Sequence, residues 1–96
     1  MTEESLAFER LRQRAVELGE RGDGGAWFEL LPLLRSAAPR VRRAAASAVG
    51  KLVMRDRSVK PVAVTPLFLL AMEEKRDQVR EYLFKALVHC ASDMSS

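Results

Sequence analysis

Residues 30–53 read LLPLLRSAAPRVRRAAASAVGKLV, and this stretch decides the fold. Its first part is rich in leucine, whereas its second part places alanine and valine on one side of a helix and polar side chains on the other. Pro39 lies between the two parts, and proline suits the first position of a helix, where the backbone N–H has no partner within the helix. The stretch therefore predicts two helices joined by a short turn, with alanines that allow a neighbouring helix to approach closely.

The same periodicity predicts five helices along the chain, and no alternating strand pattern is found. They are expected over residues 2–20, over 23–37, from Pro39 to the polar stretch 55–60, from Thr65 onwards, and over 77–91. Thr2, Asp23 and Thr65 are the expected N-caps, with Pro66 in the first position of the fourth helix. That fourth helix is apolar all round, so we expect it to be covered on most sides.

The chain also repeats itself at an interval of 38 residues. Identical residues then coincide at four positions, which are Leu31 with Leu69, Val41 with Val79, Arg42 with Arg80, and Ala48 with Ala86. Conservative matches, such as Leu30 with Phe68, extend this register without a gap. The second and third helices are therefore expected to form one hairpin and the fourth and fifth a second hairpin, and stacking the hairpins would bury their inner faces.

The first hairpin resembles a HEAT repeat. The matching features are the leucine-rich segment 30–34 with its internal Pro32, the Val41-Arg42 pair that opens the next helix, and the alanines that follow. The second copy keeps Val79-Arg80 and the pair Ala86-Leu87. The resemblance implies an all-α fold, namely a short right-handed α-solenoid of HEAT-like helical hairpins with about five helices.

This resemblance also predicts one HEAT-like domain over residues 1–96. Its expected parts are an N-terminal half-repeat helix at 1–22, repeat 1 at 23–55, repeat 2 at 56–92, and a tail at 93–96. An acid in the turn of such a repeat often meets an arginine of the adjacent repeat, and Glu74 is the candidate acid here. Arg42 and Arg80 are expected to have structural roles in bonding the turns.

The composition limits the class of protein. The single cysteine, Cys90, excludes an internal disulfide, and the longest mostly apolar stretch, 62–72, is too short to cross a membrane. The amino terminus is acidic where a signal peptide would be basic. We therefore expect a cytoplasmic protein without membrane association.

No set of residues indicates catalysis, a cofactor or a metal. Cys90 falls on the core face of the fifth helix, and the adjacent His89 is expected at the surface, so neither a metal site nor a nucleophile pair is predicted. The glycine cluster 22–25 lacks the lysine of a phosphate-binding loop and is interpreted as a turn. The expected function is therefore non-enzymatic, as a scaffold or adaptor for another protein.

Two surfaces are candidates for binding. The chain carries a net charge of +3, but residues 35–60 alone carry +7. By resemblance, the second helix of each hairpin lines a concave surface, which makes the following residues candidate partner-binding residues: Arg40, Arg43, Ser47, Lys51, Arg55 and Arg57. The alternatives are a solvated helix face and a nucleic-acid-binding patch. The mixed face formed by Gln78, Glu81, Lys85 and His89 in the second repeat counts against nucleic acid.

The second surface lies on the fifth helix. Phe84 and Val88 fall outside the core stripe and Leu87 lies beside them, so the helix carries more apolar surface than one contact needs. Because a terminal repeat normally has a polar outer face, these three residues are predicted to form a capping or self-association surface, covered by a second copy or by further chain.

Overall fold

A computed structural model describes residues 2–92 of the chain, without the side chain of Ser92. These residues form five α-helices and no strand: α1 (Glu3–Arg21), α2 (Gly25–Leu33), α3 (Pro39–Arg55), α4 (Lys60–Glu73) and α5 (Asp77–Ser92), with a 3₁₀ turn at Arg57–Val59 before α4. The all-α prediction is therefore confirmed. The tail predicted at 93–96 lies outside the described residues.

The first two helices begin where the sequence indicates. The Thr2 hydroxyl accepts a hydrogen bond from the Ser5 N–H at 3.1 Å, and α1 ends at Gly22, whose φ of 67° is left-handed. The Asp23 carboxylate accepts from the Ala26 N–H at 3.1 Å, although the N-cap position itself is Gly24. The glycine cluster is thus a capped turn between two helices.

The predicted end of the second helix is wrong, because α2 stops at Leu33 rather than near residue 37. The N–H groups of Arg35 and Ser36 donate to the carbonyls of Pro32 and Leu33, at 3.1 Å each, which tightens the chain into 3₁₀-type turns. The residue before Pro39 is extended, as proline requires of its predecessor.

The predicted start of the fourth helix is also wrong. Helix α4 begins at Lys60, five residues before Thr65, with Pro61 in its first turn and Pro66 in its interior. Pro66 cannot donate to the carbonyl of Val62, but Val62 is exposed and water can replace the missing donor. Of the two prolines, the earlier one is therefore the proline that opens the helix.

The helices lie in two layers around one core. Helix α3 packs between α1 and α5, α2 packs on α1 and α3, and α4 packs on α5. A Cβ placed on Gly19 of α1 would lie 2.9 Å from the Cα and Cβ atoms of Ala48, so these two helices touch through their backbones. Gly50 of α3 meets Ala86 of α5 in the same manner but with more space, at 3.9 Å. The small residues predicted to permit close approach thus lie at both contacts.

The 38-residue register holds for α3 and α5 but is wrong for α2 and α4. Under a shift of 38, the fully buried Leu30 would correspond to Phe68, which is exposed. A shift of 37 instead pairs buried residues with buried residues, namely Ala26 with Ala63, Leu30 with Leu67, and Leu34 with Ala71. Repeat 2 therefore has one residue more between the buried Ala71 and Val79 than repeat 1 has between the equivalent Leu34 and Val41.

Glu74, the candidate acid of the sequence, connects the two repeats. Its carboxylate accepts hydrogen bonds from Arg42 Nε at 2.8 Å and from Arg42 Nη2 at 3.1 Å, and both side chains are largely buried. Arg42 Nη1 also donates to the carbonyl of Ser36 at 2.8 Å, in the turn of its own repeat. Arg80 occupies the equivalent position in repeat 2 and donates to the carbonyl of Glu74 at 3.0 and 3.1 Å. Both arginines therefore hold turns in place.

The expectation that α4 is covered on most sides is wrong. Its buried residues form a single stripe against the rest of the protein: Lys60, Ala63, Leu67 and Ala71. Four large apolar side chains elsewhere on the helix are more than half exposed: Val62, Phe68, Leu69 and Met72. An apolar composition alone did not reveal which side of the helix would pack.

Candidate interaction groove

The layer formed by α1, α3 and α5 contains a groove of about 290 Å³. Helix α3 runs along the centre of the groove. Its alanine-rich side packs on the core, so its polar side faces the groove. The groove is lined by Arg12 and Val16 of α1, by Arg40, Arg43, Ala44, Ser47, Ala48 and Lys51 of α3, and by Tyr82 of α5. It thus combines basic side chains with a floor of small and apolar ones.

Four of the six predicted partner-binding residues lie together in this groove: Arg40, Arg43, Ser47 and Lys51. They recur every three or four residues along α3, which places them on one side of the helix. Arg40, Arg43 and Lys51 are exposed and Ser47 is half-buried.

The other two predicted residues lie elsewhere. Arg55 Nη1 donates to the carbonyl of Glu20 at 2.5 Å, and its side chain covers Gly22 at the end of α1. Arg55 thus binds the carbonyl end of a neighbouring helix, where a cation is favourable. Arg57 is exposed in the 3₁₀ turn before α4 and does not line the groove.

Sequence reasoning missed Arg12, Val16 and Tyr82, which belong to the neighbouring helices. A signal for Arg12 and Val16 was present, because they lie four residues apart and beside the stripe that contains Phe8 and Ala15. Their position became recognisable only once the Gly19–Ala48 contact showed which side of α1 adjoins α3.

The charges of the groove are only partly compensated. Arg12 forms an ion pair with Glu9, with Nη2 to Oε1 at 2.6 Å, and this hydrogen bond lowers the pKa of Glu9, to which the charges of Arg12 and Arg40 also contribute. Arg43 donates to the neutral amide oxygen of Gln78 at 3.2 Å and keeps its full charge. Within residues 2–92, no carboxylate forms an ion pair with Arg40, Arg43 or Lys51. The groove is therefore positive.

Other chemistry has little support among the described residues. No group of three or more His, Cys, Asp or Glu side chains in them is arranged to hold a metal ion. Cys90 is fully buried, and burial raises the pKa of its thiol although the charge of Lys60 acts in the opposite direction. Among the described helices, none is both long and apolar enough to cross a membrane. The groove is thus the site that brings most of the predicted partner-binding residues together.

Residues 29–54 match the family model described as HEAT repeat. The match covers α3 and most of α2, which is the first of the two hairpins. No curated protein and no solved structure is significantly similar to the chain. The resemblance inferred from residues 30–52 is therefore confirmed for this hairpin, whose residues 29–54 are similar to a HEAT repeat.

Proposed function

We propose that this protein is a non-enzymatic adaptor of the cytoplasm, and that its groove binds an acidic segment of another protein. HEAT repeats commonly serve as scaffolds for protein interactions, which supports the general class. The observation that carries the specific proposal is the set of three cations on α3, Arg40, Arg43 and Lys51, which line one groove and have no ion-pair partner within residues 2–92.

The floor of the groove favours a protein segment over a free anion. Val16, Ala44 and Ala48 offer apolar surface, and the half-buried ring of Tyr82 lies at the α5 side. A segment that carries both carboxylates and small apolar side chains would satisfy the cations and cover this floor together. Interface cores of this kind gain affinity from the apolar contacts, whereas complementary charge mainly increases the association rate and the specificity.

Nucleic acid is the alternative ligand, because the same cations would also attract phosphates. Two observations are unfavourable to it. Tyr82 is the only aromatic side chain among the residues that line the groove, which leaves little surface on which bases could stack. On the α5 side, Glu81 forms an ion pair with Lys85 at 3.4 Å, so the positive surface does not continue across the second repeat.

The proposal is tested by reversing the three charges together, in the variant Arg40→Glu/Arg43→Glu/Lys51→Glu. The matched control, Arg10→Glu/Arg35→Glu/Lys75→Glu, changes the net charge equally at exposed positions outside the groove. Wild type and both variants are used to capture proteins from native lysate, and the captured proteins are identified by mass spectrometry. We expect a set of acidic proteins with wild type and with the control, and its loss with the groove variant.

Direct binding to defined probes separates the two ligand classes. Fluorescence anisotropy with a labelled glutamate-rich peptide should show a dissociation constant raised about tenfold or more by the groove variant, since exposed ion pairs contribute about 0.2–1 kcal/mol each. Duplex DNA of arbitrary sequence serves as the second probe. Tighter binding to the duplex than to the peptide, with steep loss on adding salt, would favour the nucleic-acid alternative. Equal capture by the groove variant and by wild type would refute both.

A further inference from the structure

Among the described residues, the outward side of repeat 2 is an exposed copy of the side of repeat 1 that packs on repeat 2. In repeat 1, α3 presents Ala46 and Gly50 towards α5, and there Ala46 is fully buried while Gly50 lies against Ala86. Helices α3 and α5 are related by the shift of 38 residues. Under this shift, Ala46 and Gly50 correspond to Phe84 and Val88 in α5. These side chains are 48% and 64% exposed.

Helix α4 extends this apolar end. Under the 37-residue shift that applies to α2 and α4, Leu31 corresponds to Phe68. Leu31 packs against the core in repeat 1, whereas Phe68 is 51% exposed in repeat 2. Both helices of repeat 2 thus present large apolar side chains at positions whose counterparts in repeat 1 are buried or packed against the core. We call this surface, formed by Phe68, Phe84 and Val88, the end face; Leu87, which was also predicted to belong to it, instead packs partly against the core.

The opposite end of the stack has a different character. Ala15 and Gly19 of α1 face α3, and the far side of α1 carries Arg10, Gln13 and Glu17 beside the apolar Leu6, all exposed. Stacking that polar side of a second molecule on the end face would take charged groups out of water against Phe84 and Val88, which is unfavourable without new partners. A head-to-tail arrangement is therefore disfavoured, and a symmetric one remains.

The charged residues beside the end face can pair with those of a second copy of the chain. Glu81 and Lys85 lie one helical turn apart on the exposed side of α5, beside Phe84, with 3.4 Å between Lys85 Nζ and Glu81 Oε1. If two α5 helices lie antiparallel with Phe84 at the two-fold axis, each Glu81 comes within about one turn of Lys85 of the second copy. The pairing occurs twice, as an isologous interface requires.

We propose that the end face binds the end face of a second copy of this chain, and that the protein forms a symmetric dimer through antiparallel α5 helices. The two-fold axis that relates two antiparallel neighbouring helices is normal to the layer containing them. The layer of α1, α3 and α5 therefore continues into the second molecule, and both grooves open on the same side. A dimer of this form presents two copies of the groove to a bivalent partner, although the pairing itself does not depend on what the groove binds.

The dimer is tested by sedimentation equilibrium over a concentration series from micromolar to millimolar. The expected result for wild type is a mass that rises from the monomer value of 10.8 kDa towards twice that value and then stops rising. Val88→Glu should abolish the rise. The matched control, Leu6→Glu, places the same charge at a 46% exposed apolar position of α1 and should dimerise like wild type. Circular dichroism verifies that each variant keeps its helix content.

A charge exchange tests the antiparallel geometry specifically. Glu81→Lys alone and Lys85→Glu alone each place like charges opposite each other twice, so each should weaken dimerisation about tenfold or more. A mixture of these two variants should dimerise again, because the opposite charges then face each other across the interface. A wild-type mass that stays at one monomer, or one that grows without limit, overturns the proposal. The proposal is also overturned if the mixed variants fail to associate, or if the Leu6→Glu variant is monomeric.

Discussion

Replacing Gly19 with alanine should destabilise the protein, although alanine is the better helix former. The added Cβ would lie 2.9 Å from both the Cα and the Cβ of Ala48, and neither of those atoms can move without moving α3. Overpacking of this kind costs about 1–3 kcal/mol, whereas alanine in place of a helical glycine contributes about 0.8–1.0 kcal/mol. The expected net loss in the free energy of unfolding is therefore up to about 2 kcal/mol.

The same substitution at Gly50 is the matched control. There the added Cβ would lie 3.9 Å from the Cβ of Ala86, which is ordinary van der Waals contact. Gly50→Ala should consequently stabilise the protein by about 0.5–1 kcal/mol through helix propensity alone. Urea unfolding followed by far-UV circular dichroism measures both variants against wild type. If Gly19→Ala stabilised the protein as much as Gly50→Ala, α1 and α3 would not be in backbone contact, and the placement of the groove between them would lose its basis.

Three further predictions concern the core and the connection between the repeats. Leu67→Ala should lower the free energy of unfolding by about 2–5 kcal/mol, because Leu67 is fully buried. Phe68→Ala should lower it much less, because Phe68 is exposed. If urea unfolding ranked the two variants in the opposite order, the uniform 38-residue register would be correct. Glu74→Gln should destabilise the protein by about 1–3 kcal/mol in the same assay, because it removes the negative charge that pairs with the largely buried Arg42. A variant as stable as wild type would contradict this role of Glu74. Burial by itself raises the pKa of Glu74, but the hydrogen bonds from Arg42 and the Arg76 N–H, together with the charge of Arg42, hold the pKa below its ordinary value of 4.5. The contribution of Glu74 should therefore be complete above pH 4.5 and disappear as the pH falls below it, so that unfolding measured across this range shows wild type and Glu74→Gln converging in acid.

The accuracy of the sequence predictions followed the amphipathicity of each helix. Helices α1, α3 and α5 have a polar side opposite an apolar one, so their periodicity shows which side packs, and their predicted boundaries agree with the structure within about two residues. Helices α2 and α4 are apolar on nearly every side. The sequence of α4 therefore accommodates a shift of 37 or 38 equally well, and only the burial of Leu67 rather than Phe68 distinguishes them.

Helix α4 also offers two prolines, Pro61 and Pro66, either of which suits a first turn. The preceding residues decide between them. The Asp56 carboxylate accepts hydrogen bonds from the N–H and the hydroxyl of Ser58, at 3.0 and 2.6 Å, and this caps the 3₁₀ turn that leads directly into α4. An aspartate two residues before a serine was a local signal for the earlier start.

The sequence of the positive segment 35–60 did not show which of its arginines remain available to a partner. The reason is that some of them bind unpaired backbone carbonyl groups of the protein itself. Arginines near helix ends and turns can reach carbonyl groups that lack a partner within the helix, and Arg42 and Arg55 both donate to such carbonyls. Arg43 and Lys51 lie within α3, where the helix itself occupies the carbonyls, so their charge stays directed towards the groove. Whether a side chain reaches such a carbonyl, rather than the local density of charge, therefore separates arginines that hold the fold together from those that can bind a second molecule.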